Sequence, residues 1–461
     1  MKKLCISYLW TIRLVLMTQA PATPKITGRQ HDREIVALAV PAFGALVAEP
    51  LFVMADSAIV GHLGTAQLAG LGVASALLTT AVSIFVFLAY ATTAAVARRV
   101  GAGDLQAAIR QGMDGIWLAL LLGAAVIAAV LPTAPALVEL FGASDSAAPY
   151  ATTYLRISSL GIPAMLVVLA ATGVLRGLQD TKTPLRVAIA GFVANGALNA
   201  GLVYGAGLGI AGSAWGTVIA QCGMAAVYLI VVVRGARRHG ASLRPDASGI
   251  RASAQAGVPL LVRTLSLRAI LMIATAVAAR LGDADMAAHQ IILSLWSLLA
   301  FALDAIAIAG QAIIGRHLGA EDSRGARDAC RRMVQWGIAV GAVLGVLVVV
   351  ARPVFLPLFT SDTVVKDAAL PALLVVALSQ PICGVVFVLD GVLMGAGDGP
   401  YLARAMVLTL AVFAPLALLV PALGGGLTTL WAAMTLMMTV RMLTLWLRTR
   451  SGRWIVTGAT R

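Results

Sequence analysis

PAFGALVAEPLFVMAD, residues 41–56, lies inside an apolar run from Ile35 to Val60 that carries two carboxylates and two prolines. As a helix, that run is long enough to cross the roughly 30 Å hydrocarbon core of a bilayer. Glu49 and Asp56 are about two helical turns apart, so both project from nearly one face. Lipid cannot solvate that face. An ionisable side chain within a spanning helix turns toward the bundle interior or a wet cavity and marks a functional site. The plainer reading of Asp56 is a helix-end residue near the Gly61 break. Pro41 and Pro50 each remove a backbone donor, so the helix is expected to be kinked.

Composition outside this stretch points the same way. Of 461 residues, 60% are hydrophobic and only 12% charged, and the mean hydropathy is +0.93. Such a chain is a polytopic membrane protein rather than a soluble one. Its 46 glycines suit helices that approach closely through small residues. The net charge of +14 sits between apolar segments rather than in one patch. It therefore suggests loops facing an anionic leaflet and no nucleic acid. Cys5, Cys222, Cys330 and Cys383 have no metal-ligand spacing and are expected as free thiols, with no metal or other cofactor. Residues 1–32 are expected to be a flexible cytoplasmic tail, with Met17 as an alternative start to Met1 and no cleaved signal.

Twelve apolar segments follow, ending near residue 447, with breaks at turns such as GHLG, GAGD, GLQDTKTP and GAGDGP. Basic residues crowd alternate loops, from Arg29 and Arg33 through Arg98 and Arg99 to Arg448 and Arg450, which predicts both termini inside and a multi-pass protein of the inner (plasma) membrane. A shift of 218 residues superposes Pro41 on Pro259, Gly64 on Gly282, Arg98 on Arg316, Gly101 on Gly319, Asp104 on Asp322, Phe141 on Phe359, Pro163 on Pro381, Gly177 on Gly395 and Asp180 on Asp398. One constant offset over so long a stretch is a duplication. Because each repeat holds six helices, the halves sit the same way up, a parallel arrangement used by transporters whose lobes rock about a central path. The expected fold is all-α and integral to the membrane: an N-terminal lobe over 33–237, a cytoplasmic linker over 238–250, a C-terminal lobe over 251–449 and a tail over 450–461.

No phosphate-binding loop or appended soluble domain is present, which excludes ATP hydrolysis by this chain and leaves an ion or substrate gradient as the driving force. The polar residues inside the first half are Glu49, Asp56, Tyr154, Arg156, Asn195, Asn199 and Thr217. Asn195 and Asn199, four apart, share one face, and their amides offer both donors and acceptors to a carboxyl group. The second half is charged differently, with Arg263, Arg268, Asp304, Asp390 and Arg441. Three cations and two anions in apolar helices are expected to pair as a structural network, with a second ion or substrate site as the other reading.

The segments VPAFGALVAEPLFVMADSAIVGHLGTAQLAGLG, NGALN, GLQDTKTP and FVLDGVLMGAGDGP resemble the multidrug and toxic compound extrusion (MATE) family, in its DNA-damage-inducible protein F branch, over about residues 33–450. The resemblance implies twelve helices in two lobes and export of organic, often cationic, compounds coupled to inward flow of protons or sodium ions, by a monomer without enzyme activity. It also implies that Pro41 is the bending proline, Asp56 the coupling carboxylate, and Tyr154, Asn195 and Thr217 its polar surroundings. Asn199 stands where some relatives carry a second aspartate, and Leu267 and Arg268 where sodium-coupled branches tend to carry a glutamate. Glu49 would share the proton with Asp56. The rival functions are a lipid or lipid-linked-saccharide flippase, for which Arg263, Arg268 and Arg441 speak, an aspartyl protease using the two GAGD turns, and a passive channel.

Overall fold

The computed structural model describes residues 28–460, without the side chain of Glu49. Among the described residues fourteen α-helices follow one another: α1 (Gly28–Gly61), α2 (Thr65–Ile84), α3 (Phe87–Gly101), α4 (Leu105–Leu140), α5 (Ala148–Ser159), α6 (Ile162–Gly177), α7 (Lys182–Ala200), α8 (Gly209–Arg238), α9 (Ala247–Leu281), α10 (Asp283–Gly319), α11 (Ser323–Phe359), α12 (Thr363–Gly395), α13 (Gly399–Ala422) and α14 (Leu427–Arg450). Eleven stretches of helix are long and apolar enough to span a membrane, and the bent pair α5 and α6 supplies a twelfth. The twelve spans form two six-span lobes.

Backbone geometry repeats with the sequence. Gly64 and Gly282 share the left-handed region at φ 134° and 123°, Gly103 and Glu321 at 78° and 59°, and Gln179 and Gly397 at 61° and 71°. Asp104 and Asp322 then cap the next helices through the backbone N–H groups of Ala107 and Gly325, each at 2.8 Å. A carboxylate acceptor at a helix start satisfies a donor that the helix itself cannot. The turns at 101–104 and 319–322 are therefore stop-and-cap devices, whereas Asp398 of the second GAGD turn makes no cap bond and pairs with Arg448 at 2.7 Å.

The lobes are not identical. The second and fourth apolar segments, expected as single helices, are each broken in the first lobe, at Phe85–Val86 and at Leu160–Gly161, where α5 and α6 meet at 49°. Their counterparts α10 and α12 run through, although Pro381 occupies the position of Pro163. At the second break the amide oxygen of Gln221 approaches Gly161 so closely that a Cβ there would meet it. α1 is likewise a single helix through Pro41 and Pro50, and both prolines are points where a backbone bond is missing.

Apolar burial divides unevenly. One core cluster joins the second lobe to the half of the first lobe near the arginine-rich loops, the basic end, and includes Ile35, Leu38, Phe87 and Leu175. A second, separate cluster around Val60, Leu71, Val138, Tyr154 and Ile210 belongs to the far half of the first lobe alone. All inter-lobe ion pairs among the described residues are at the basic end, where Asp32 binds Arg332 at 2.6 Å and Glu34 binds Arg316 at 2.6 Å. The two lobes are thus joined at one end of the bundle.

Two segments expected as free polar chain are docked. Residues 28–32 belong to α1 rather than to a tail, while 1–27 lie outside the described residues. The connection 239–246 is irregular and tied to α4, with Gln106 and the Trp117 indole donating to the carbonyls of Gly240 and Leu243. Arg110 pairs with Asp246 at 2.8 Å. Cys222, Cys330 and Cys383 are free thiols, and Cys5 lies outside the described residues.

Candidate functional site

Four elements of the first lobe bring polar groups together in its far half. α1 supplies Asp56, 5% exposed although its neighbours Val53 and Met54 on the other face are 45% and 67% exposed. Tyr154 of α5 donates its phenolic O–H to one carboxyl oxygen of Asp56 at 2.7 Å. The Asn199 amide of α7 donates to the other oxygen at 2.9 Å, and the Ser213 hydroxyl of α8 donates to that same oxygen. Behind them Asn195 donates to the Thr217 hydroxyl at 3.1 Å and exchanges amide contacts with Asn199 at 3.3 Å and 3.5 Å. Tyr154, Asn195, Asn199, Ser213 and Thr217 are all buried.

The expected set Asp56, Tyr154, Asn195, Asn199 and Thr217 therefore converges, with one difference in rank. Asn195 and Thr217 do not hold the carboxyl directly; they orient Asn199, which does. Ser213 was absent from the expectation. It lies four residues before Thr217 on the same face of α8, and that spacing was the available signal. Glu49 is the residue whose side chain lies outside the described ones, and Arg156 is exposed on α5. The close approach of α7 to α8 rests on Gly216, where a Cβ would overlap the Asn199 amide oxygen. A π-helical turn at Gly201–Gly205 directly follows α7, and such turns are frequent at functional sites.

Among the described residues no arginine, lysine or histidine forms an ion pair with Asp56. Among the described residues its two oxygens accept from three neutral side-chain donors. Those donors hold a carboxylate, and the hydroxyls of Tyr154 and Ser213 can turn to accept from a protonated carboxyl instead. This cluster can exchange a proton without dismantling its packing.

The second lobe treats its aspartate oppositely. Arg263 of α9 and Arg441 of α14 both bond one oxygen of Asp390 on α12, and all three side chains are buried. An anion clamped by two cations is costly to disturb, because removing it would leave two buried positive charges. The expected five-residue network is smaller than anticipated. Among the described residues Asp304 makes no ion pair; it accepts a hydrogen bond from Tyr90 of the first lobe at 3.3 Å, with the charges of Arg176 and Arg263 acting on it from farther off. Arg268 is exposed and pairs with no acid among the described residues, because α9 buries its opposite face, with Arg263 and Ile270, against the lobe.

With that geometry in hand, comparisons identify the relatives. The family profile described as MatE matches residues 41–200 and again 259–419, the two halves of the duplication. The chain belongs to the MATE family. It is 34% identical over 441 residues to Protein DETOXIFICATION 44, chloroplastic, of Arabidopsis thaliana, covering 91% of this chain and 83% of that one. With DNA damage-inducible protein F of Escherichia coli K12 it is 28% identical over 98% of both chains. A probable multidrug resistance protein NorM of Thermotoga maritima is 22% identical over 81% of this chain and 82% of its own. Among solved structures, a MATE protein in the straight conformation superposes with a TM-score of 0.83 at 20% identity, covering 92% of this chain and 97% of that one. The Vibrio cholerae MATE transporter VcmN in the bent form gives 0.84 at 22% identity, with the same coverage.

Proposed function

We propose that this MATE protein is a secondary active exporter of organic, often cationic, compounds, driven by protons that bind and leave Asp56. The observation that carries the reading is a buried carboxyl inside a membrane bundle, held by Tyr154, Asn199 and Ser213 and by no cation. A group in that position can be neutralised only by taking up a proton or a small cation. The names of the relatives, multidrug resistance and detoxification proteins, supply the cargo class. By the positive-inside rule the basic end is cytoplasmic, so the chain is placed in the inner (plasma) membrane with the Asp56 cluster toward the outside. Residues 33–237 and 251–449 act as the two moving lobes, 238–250 as their tether, and the chain works as a monomer without enzyme activity.

In the outward-open form Asp56 takes a proton from the outside. Loss of its charge lets Asn199, Tyr154 and Ser213 rearrange, and α1 bends where Pro41 leaves a carbonyl without its helical partner. The bend narrows the space beside the cluster and displaces the cargo. Return of the empty protein delivers the proton to the inside. Glu49, on the same face of α1 two turns nearer the basic end, is the natural next carrier.

The flippase alternative loses ground because Arg263 and Arg441 are already spent on Asp390 and are not free to greet a phosphate. Purified protein in proteoliposomes tests the proposal. A cationic dye should be expelled when an inward pH gradient is imposed and not when a sodium gradient replaces it. Sodium-dependent, pH-independent efflux would overturn the proton assignment, and no efflux with either gradient would overturn the transport reading.

A further inference from the structure

The chain after α14 is not a loose tail. Residues Ser451–Thr460 fold back across the basic end and reach the other lobe. Trp454 is 1% exposed and joins the shared core, its indole donating to the Thr449 carbonyl at 3.0 Å. The backbone N–H of Gly458 donates to the Leu318 carbonyl of α10 at 2.9 Å. From the first lobe Arg98 of α3, itself buried, donates to the carbonyls of Val456 at 2.8 Å, Gly458 at 3.1 Å and Thr460 at 3.3 Å, and to Ala396 beyond α12 at 2.8 Å. One guanidinium thus binds the last ten described residues to both lobes.

The place is the crossing of α3 and α10. A Cβ at Gly101 would overlap the carbonyl of Arg316, and one at Gly319 would overlap the carbonyl of Arg98, so the two helix ends touch backbone to backbone. These four residues are two pairs of repeat mates. Arg316, the mate of Arg98, makes the reciprocal reach into the first lobe, to Gln179 at 2.7 Å and Glu34 at 2.6 Å. Its partners are a turn and a carboxylate. Arg98 has the matching turn at Ala396 and, in place of a carboxylate, the carbonyls of the C-terminal segment. Beside the crossing lies a cavity of about 520 Å³ between α3, α4 and α9, lined by Phe87, Arg99, Gln111 and Ser253, with Ala459 and Thr460 forming part of its wall.

We propose that Ser451–Thr460 is a strap that completes the inter-lobe clasp on Arg98 and holds the basic end of the transport path shut. The strap must leave Arg98 before the cavity can open to that side. The inference rests on the alternating-access reading above, and its reasoning is geometric. Separating α3 from α10 moves Arg98 away from Leu318 and Ala396, and a segment bonded to both sides of the gap cannot follow both. Backbone carbonyls bonded to one arginine are released together, because they share a single donor group. Breaking that one hub therefore removes the segment's tie to the first lobe at a stroke, while Trp454 and the Gly458 bond to Leu318 keep it on the second.

Distances across each end of the bundle decide the matter. In a background with Cys5, Cys222, Cys330 and Cys383 replaced, spin labels at Ala102→Cys and Ala320→Cys, repeat mates beside the crossing, report the basic end. Labels at Leu63→Cys and Leu281→Cys, also repeat mates, report the far end. A chain stopped after Arg450, and separately the full-length Trp454→Ala variant, should raise the ratio of long to short distances at the basic end by roughly fivefold or more. The same variants should shorten the distances at the far end. Unchanged distributions in Trp454→Ala, or broadening at both ends together, would overturn the strap, the latter because simple loosening of the bundle has that signature. Trp454→Ala keeps the decision available if the shortened chain does not insert. Dye efflux by the unaltered protein is measured beside it. A failure to export sinks the transport proposal while leaving the distance shift standing for the strap.

Discussion

Replacing Asp56 with Asn isolates the proton from every other property of the site. Asp56 accepts from Asn199 and Ser213 on one oxygen and from Tyr154 on the other. An asparagine can keep its carbonyl toward the two donors and turn its amide toward Tyr154, whose hydroxyl reverses and accepts. Charge-assisted bonds become neutral ones, while the burial of a charge is relieved, so the net stability change should stay within about 1–2 kcal/mol. Insertion and melting in detergent should be nearly those of the parent. Coupling behaves differently. One exchangeable carboxyl moves one proton per cycle, and a difference of two pH units is worth about 2.7 kcal/mol per proton, which supports a dye gradient of up to ~100-fold. Without the carboxyl the attainable ratio falls to about 1, the value for passive equilibration. Dye distribution in proteoliposomes, read as the imposed gradient is stepped from zero to two pH units, gives a slope for the parent and none for Asp56→Asn. A variant whose dye ratio still climbs with the pH step would refute the reasoning, whatever its rate.

Asp390→Asn removes the anion between two buried arginines and should cost about 3–5 kcal/mol, seen as a lowered melting temperature and poor yield; an unchanged melting curve would return Asp390 to the list of exchangeable sites. Gly216→Ala places a methyl group on the Asn199 amide oxygen and should cut gradient-driven efflux about tenfold or more while Gly223→Ala, which meets open space, leaves it alone. Asp246 lies in the connection between the lobes, where the Ser248 hydroxyl and backbone N–H, and then Arg110, hold its carboxyl below the usual 3.8. A carboxyl lowered by folding adds stability above its unfolded value and loses it as the pH falls through the folded one, so the melting difference between the parent and Asp246→Asn should be constant from pH 7 to about pH 5 and shrink toward pH 3. A difference that grows on acidification would contradict the assignment.

Two aspartates stood out in the sequence for the same reason, that each interrupts an apolar helix. Their fates diverge because pairing is a property of neighbours in space. Arg263 and Arg441 are 127 and 51 residues from Asp390, and nothing in a one-dimensional pattern says that both arrive at one oxygen. Arg268, only five residues from Arg263, points elsewhere because five residues is about half a turn out of register on a helix. Ser213 was legible in principle through its spacing from Thr217, whereas the grading of Asn195 behind Asn199 was not, since both share a face and only the approach of α8 separates their roles.

By itself the chain's order of residues determined the membrane class, the twelve spans, the duplication and, Ser213 apart, the residues that gather around Asp56. Apolar length, turn chemistry and an internal offset are local or self-comparing properties, and they survive reading in one dimension. Tertiary structure alone decided which carboxyls are left without an ion pair, which spans break, and that the C-terminal residues strap the lobes together. Those outcomes depend on which charges and backbone carbonyls come within hydrogen-bonding distance once two lobes, hundreds of residues apart in the chain, are pressed end to end.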